Sequence, residues 1–420
     1  MPTTEVIESK KTCMQDTVLE LRSKYVEMFL NSSPEFPQFS RRFTLDEQIK
    51  AEKELEKFID ESTEKLEKKE SRSARAAEIE RVRASVKAFV ARSLRSEDGE
   101  WDTDFLDDFS RVGDEFVREA RAFDSRLNLE DIHQALRNVW IISSLQVFLG
   151  TQVTLTPSGF AYSLLYPYTD NYLDDPHVPK ETKKDFVHAL GRRLAGESVK
   201  LTSRPLRVPF ELIRMIEGEY PRSTYLEVFE SLLAIHHAQV DALAQHGGSR
   251  PLSTGEILTM SVEKGGTSVL ADGYVAGGTL ENDMEDFAFG FGVCLQLMDD
   301  LQDLKEDLRR GHETLMTREA ASGNLDMITN RSINFTTIVI DSGNYMSSPE
   351  AQALLHLSHR SCVTLILEAV ARASDKYTED YLSSLEACSP LRFSYLKSMK
   401  EDLRQKSGVL ARFQAALETS

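Results

Sequence analysis

The stretch LQLMDDLQDLKEDLRRG, Leu295 to Gly311, decides how this chain is read. Asp299, Asp303 and Asp307 recur at i, i+4 and i+8, and Asp300 and Glu306 flank them. At about 100° per residue these five carboxylates share a helical arc of at most about 120°. Surface helices usually alternate signs, so stacking of one sign points to a purpose. Behind Asp299 on the same face come Gln296, Leu295, Gly292, Phe291 and Ala288, an apolar wall with small residues that ends in acids. Arg309 and Arg310 suit a helix C-terminus, and Gly311 predicts a left-handed stop.

A second stretch repeats the design. In LYPYTDNYLDDP, Leu165 to Pro176, Asp170 and Asp174 lie within about 40° of each other on a helix, with Asn171 and Asp175 beside them. The residues behind Asp170 on this face are Pro167, Tyr166, Ser163 and Tyr162, an aromatic wall leading up to the acids. Pro167 removes one helical hydrogen bond. Carboxylates this close repel one another unless something positive joins them. Two helices, each apolar below and acidic at the mouth, predict a pocket with carboxylates on opposing sides. Oxygen donors without a cluster of His or Cys favour Mg²⁺, with Mn²⁺ as the substitute, and Mg²⁺ completes its octahedron with phosphate oxygens.

The rest of the chain bounds this reading. The 420 residues carry 68 Asp plus Glu against 50 Lys plus Arg, a formal net charge of −18, which disfavours nucleic acid as a partner. Cys13, Cys294, Cys362 and Cys388 form no zinc-type spacing, so no disulfide or zinc site is expected. The longest apolar stretches, VWIISSLQVFLG and FAFGFGVCLQLM, are far short of a bilayer span, and the N-terminus lacks an apolar signal core. The expectation is a soluble, cytoplasmic protein with no transmembrane segment.

Organisation follows from periodicity. Residues 1–42 read as an N-terminal arm with one helix and the loop NSSPEFPQFS, and residues 43–125 as a charged helical extension rich in opposite-sign i,i+4 pairs, solvated on its outside. Residues 126–420 form the core, in long helical segments with short Gly, Pro or Ser breaks. NFTTIVIDSG, Asn334 to Gly343, reads more economically as a buried helix than as a strand. The fold class is all-α, a helical bundle around a central apolar pocket. His237 and Asp241 have ligand spacing on a helix but no third partner, so that helix reads as solvated.

The stretches ALRNVWIISSLQ, YPYTDNYLDDP, EKGGTSVLADGYVAGG and LQLMDDLQDL, with GHETL after the last, resemble the class I isoprenoid (terpenoid) synthase superfamily. The likeness is nearest to the bacterial-type class 1 isoprenoid biosynthesis enzymes and covers Leu129 to Leu315. It implies a terpenoid synthase-like bundle in which three Mg²⁺ ions hold a prenyl diphosphate, ionise it and leave a carbocation to the pocket. Carried over by position, Asp170, Asn171 and Asp174 match the first metal motif, although Asn171 replaces the second aspartate of DDxxD. Asp299, Asp303 and Asp307 fit the second metal motif of the cyclases, and Asp300 belongs to the prenyltransferase form of the same helix.

Other roles follow from the same likeness. Lys264, Arg192, Arg309 and Arg310 are candidates for the diphosphate, with Arg193 and Arg250 behind them. Arg392 and Tyr395 stand where cyclases often have an Arg–Tyr pair. Gly265 and Gly266 are expected to break a helix and bring backbone to the substrate. Tyr162, Tyr166, Asp272, Phe291, Gly292 and Gln296 are expected to line the pocket, Gly292 leaving room for the prenyl chain. A terpene synthase, a lyase acting on one prenyl diphosphate, is the first reading. A prenyltransferase is the alternative. Chain elongation is disfavoured because residues 1–169 contain nothing like GGKRxRP. Head-to-head joining stays open because DNYLDD approaches DTxxDD, although Ala271 stands where a tyrosine belongs. A homodimer is compatible with either.

Overall fold

In a computed structural model of the chain, residues 13–67, 104–175, 177–201, 204–245 and 251–398 are described, and among them every regular element is helical. The site rests on five helices: α4 (Leu129–Phe148), α5 (Pro157–Asp174), α9 (Thr254–Gly277), α10 (Asn282–Gln302) and the short α11 (Leu304–Arg310). Their ends are written in the sequence. Asn128 and Asp131 close a reciprocal cap at the start of α4, Ser253 and Glu256 do the same for α9, and Thr156 with Pro157 starts α5. Gly278 at φ 74° and Gly311 at φ 73° end α9 and α11.

Helices α9 and α10 pack against each other as the centre of the bundle, and glycine lets them approach. A Cβ on Gly265 would lie 2.6 Å from the carbonyl oxygen of Gly292. A Cβ on Gly292 would lie 2.8 Å from the carbonyl carbon of Gly265, and one on Gly266 would overlap the Phe289 ring. The expected helix break at Gly265 and Gly266 is absent, because α9 runs unbroken through both. Gly265, Gly266 and Gly292 are therefore corrected from pocket wall to interhelical contact. The middle of the bundle is closed at this crossing.

The expected N-terminal arm is also corrected. Helix α1 (Met14–Asn31) buries Tyr25 and Phe29 to 1% exposure. Tyr25 stacks on Phe289 at 5.7 Å and donates to the Asp286 carbonyl at 2.8 Å, and Phe29 meets Phe335 edge-on at 5.5 Å. In α2 (Leu45–Glu67) the first turns bury Gln48 and Glu52 instead of facing solvent. Residues 68–103, the middle of the expected extension, lie outside the described residues. NFTTIVIDSG lies in the helix Asp326–Ser342, which buries Phe335 and Val339. No helix among the described residues is long and apolar enough to cross a membrane, and all four cysteines are free thiols.

Candidate active site

Hydrogen bonds set the register of the walls. The Asn171 amide donates to Asp131 at 2.7 Å, and the Asn138 amide donates to Ser163 at 3.3 Å, so α4 and α5 run antiparallel. The same Asn138 nitrogen donates to Asp272 at 2.9 Å, tying both helices to α9. Across the central crossing, Ser261 of α9 donates to Asp300 at 3.4 Å and Gln296 donates to the other oxygen of Asp300 at 2.8 Å. Gln296 thus holds an acid rather than standing free in a pocket.

The charges of both acidic motifs reach Tyr166. Its hydroxyl is hydrogen-bonded with Asp170 of its own helix and feels the charges of Asp299 and of Arg137. Burial, then Asp170, pushes that hydroxyl well above its ordinary range. Asp299 is exposed by surface, yet protein crowds it closely enough to raise its carboxyl. Both hold for a group on the wall of a recess, which water reaches from one side only. Burial raises Asp299 most and Asp303 next, while Lys264 and Arg137 oppose them. Asp307 is raised mainly by burial, against the pull of His312, whose Nδ1 lies 3.1 Å away. Asp300 turns inward, buried, and burial pushes it up to about 7.

The acidic face is not one straight helix. Helix α10 stops at Gln302 and α11 starts at Leu304, with Asp303 between them at φ −93° and ψ 1°. Glu306 pairs with Arg309 and with Arg310, the latter at 2.6 Å. Asp174 is the last residue of α5, and its side chain lies outside the described residues. Among the described residues no three His, Cys, Asp or Glu side chains converge to hold a metal ion by themselves.

The cations sort differently from the sequence expectation. Arg192 pairs with Glu197 at 2.6 Å and Arg309 and Arg310 with Glu306 in local ion pairs on the outside, while Arg193 pairs with Glu217 of another helix in a half-buried bridge. Arg192, Arg309 and Arg310 are corrected accordingly. Arg392 closes a two-pronged pair with the buried Glu52, at 2.6 Å and 2.9 Å, and is corrected from the site to a clamp on α2. Arg250 lies outside the described residues. Lys264 does stand by Asp299, Asp300 and Asp307. Arg137 was missed, although it sits inside ALRNVWIISSLQ, a stretch the sequence already singled out.

The apolar side is smaller than expected. A cavity of about 50 Å³ lies below Tyr166, lined by Tyr162, Asn138, Ser268, His236, Leu194 and Leu232 among others. Phe291 is instead stacked on Phe287 at 5.9 Å in the core. Asp272 sits fully buried behind Asn138, and burial raises its carboxyl well above the usual range. His237 and Asp241 are exposed, but their neighbour His236 is buried against Gly191. A larger recess, about 700 Å³, lies elsewhere, between α1 and the start of α9, and none of the acids of the two motifs lines it.

No family model and no curated protein matches the chain. Among solved structures, a polyprenyl synthetase from Streptomyces coelicolor A3(2) is similar at 12% identity and a TM-score of 0.28, over 70% of this chain and 97% of that one. At that TM-score the likeness carries no argument about what this chain does.

Proposed function

We propose that the chain is a Mg²⁺-dependent class I terpene synthase with a terpenoid synthase-like bundle, Mn²⁺ serving as the substitute ion. The observation that supports the reading is that the charges of Asp170 and Asp299, from motifs on different helices, both act on the Tyr166 hydroxyl. The donor set fits a hard divalent cation. It is all oxygen, and its carboxyls are raised by crowding and mutual repulsion that a cation relieves. Among the described residues no three carboxylates converge, so a bound Mg²⁺ would take its remaining ligands from water and diphosphate oxygens. Asp170, Asn171 and Asp174 would hold it on one wall, and Asp299, Asp303 and Asp307 on the other.

When bound, Mg²⁺ neutralises the charge that develops on the departing diphosphate. The chain's own residues do the rest. Gln296 and Ser261 keep Asp300 turned inward, so that Asp299 faces the recess. Tyr162 and Tyr166 offer ring faces to a carbocation and exclude water from it. The allylic C–O bond breaks, diphosphate leaves with the electron pair, and the cation, with or without closing a ring, loses a proton. A pocket for such a ligand spans about 300–1,000 Å³, so the cavity below Tyr166 must widen, by movement of Leu190, Leu194, Leu232 and Ile235 along its wall.

The test is incubation with C10 to C35 prenyl diphosphates and Mg²⁺, following diphosphate and the organic extract together. Products that keep the substrate's carbon number support the lyase. Products of summed carbon number would make the chain a prenyltransferase, and no diphosphate release from any substrate would overturn the reading.

A further inference from the structure

We infer that the recess of about 700 Å³ beside α1 is the seat of this chain's own segment 399–420, docked there as an amphipathic helix. That segment lies outside the described residues, and the inference is independent of the proposed function. Its first support is the recess. Val26, Phe29 and Leu30 of α1, Leu258 of α9, Leu315 and Ile328 give it apolar walls, and Leu30 is left 53% exposed. The carboxylates along it, Asp241, Glu256, Glu263 and Glu319, outnumber Arg22 and Arg331, and Arg22 is already paired with Glu263 at 2.6 Å. The matching occupant is apolar on one side and basic at its edge.

The second support is the sequence of the segment. Val409, Leu410, Phe413, Ala416 and Leu417 recur at helical spacing and share an arc of about 120°. Arg412 flanks this arc and Lys406 stands one turn before it, whereas Glu418 falls on the far side. Leu410, Phe413 and Leu417 are spaced i, i+3 and i+7, the anchors of a helix laid in an apolar groove. From Val409 to Leu417 such a helix rises about 12 Å, the same as α1 from Arg22 to Leu30 along the wall.

The third support is reach. Lys397 donates to Ser374 at 2.6 Å, and the carbonyl of nearby Lys376 accepts from the Leu325 amide at 2.9 Å. Leu325 stands one turn before Ile328 of the recess. These contacts put Lys397 no more than about 30 Å from Ile328, and residues 399–408 extend to about 33 Å. The chain therefore arrives at the end of the groove where Leu30 and Ile328 lie.

The experiment cross-links the full chain with a short bismaleimide, after Cys13→Ser removes the exposed thiol and leaves the three buried ones. The reporting pair is Leu30→Cys with Gln414→Cys, which spares the apolar anchors. The control pair is Leu226→Cys with Gln414→Cys. Leu226 is exposed and follows Tyr225, which lies against Gly278 at the other end of α9, about 36 Å from the recess end. The reporting pair should link within one chain, at a rate that dilution does not change and at least about tenfold faster than the control. Adding Phe413→Asp should remove that advantage, because it takes the largest apolar anchor out of the groove. Links formed between two chains would assign the recess to a second copy and overturn the inference. A reporting pair no faster than the control, in chains that melt like the parent, would also overturn it.

Discussion

Gly265 and Gly292 meet backbone to backbone, so close that a Cβ on either would fall within 2.8 Å of the other's main chain. Neither neighbour is the free end of a flexible side chain. Gly292→Ala is therefore expected to destabilise the chain by about 1–3 kcal/mol or more, in the range of overpacked cores, despite alanine's better helix propensity. Gly292→Phe should fail to fold. Urea denaturation of both variants checks this. A folded Gly292→Phe protein would show that the two helices can separate at this point.

The crossing also shows where sequence runs out. The helices were legible because apolar residues recur at 3.6 spacing and because Ser253, Glu256 and Gly311 mark ends by local chemistry. The acids were legible as a face for the same reason. Which helix a face meets is not a local property, so Gly292 reads from sequence as a cavity wall although it is an interhelical contact. The same holds for arginines. Nothing within the string distinguishes Arg192, which folds onto Glu197, from Arg137, whose charge reaches Asp299. The burial of α1 was hidden because Val18, Tyr25 and Phe29 are separated by polar residues whose partners, Glu263 and Asp286, lie far along the chain.

His236 gives a stability prediction with a definite sign. Burial pushes its imidazole down from 6.5 to about 4. The folded state therefore resists a proton that the unfolded state accepts, and stability falls as pH drops through 6.5 toward 4. The loss is on the order of 3 kcal/mol over that window. Denaturation between pH 4 and pH 7 should show a shallower slope in His236→Gln than in the parent. Equal slopes would place the titration elsewhere.

The Arg392–Glu52 pair predicts a coupling between the two ends of the described chain. Glu52 is only 3% exposed, so removing its partner leaves a buried charge alone. Arg392→Met should lower the melting temperature clearly, and adding Glu52→Met should restore much of it. Additive losses in the double variant would show that the pair is not coupled. Diphosphate release should persist in the folded double variant, because this clamp is separate from the acidic mouth.

The central claim is that Asp299 and its neighbours bind a divalent ion to expel diphosphate. The most direct measurement is diphosphate release from the best prenyl diphosphate by the parent and by Asp299→Asn, each with Mg²⁺ and with EDTA. The expected result is release by the parent with Mg²⁺ alone and a loss of about 100-fold or more in Asp299→Asn at an unchanged melting temperature. Release that survives either chelation or the substitution would contradict it.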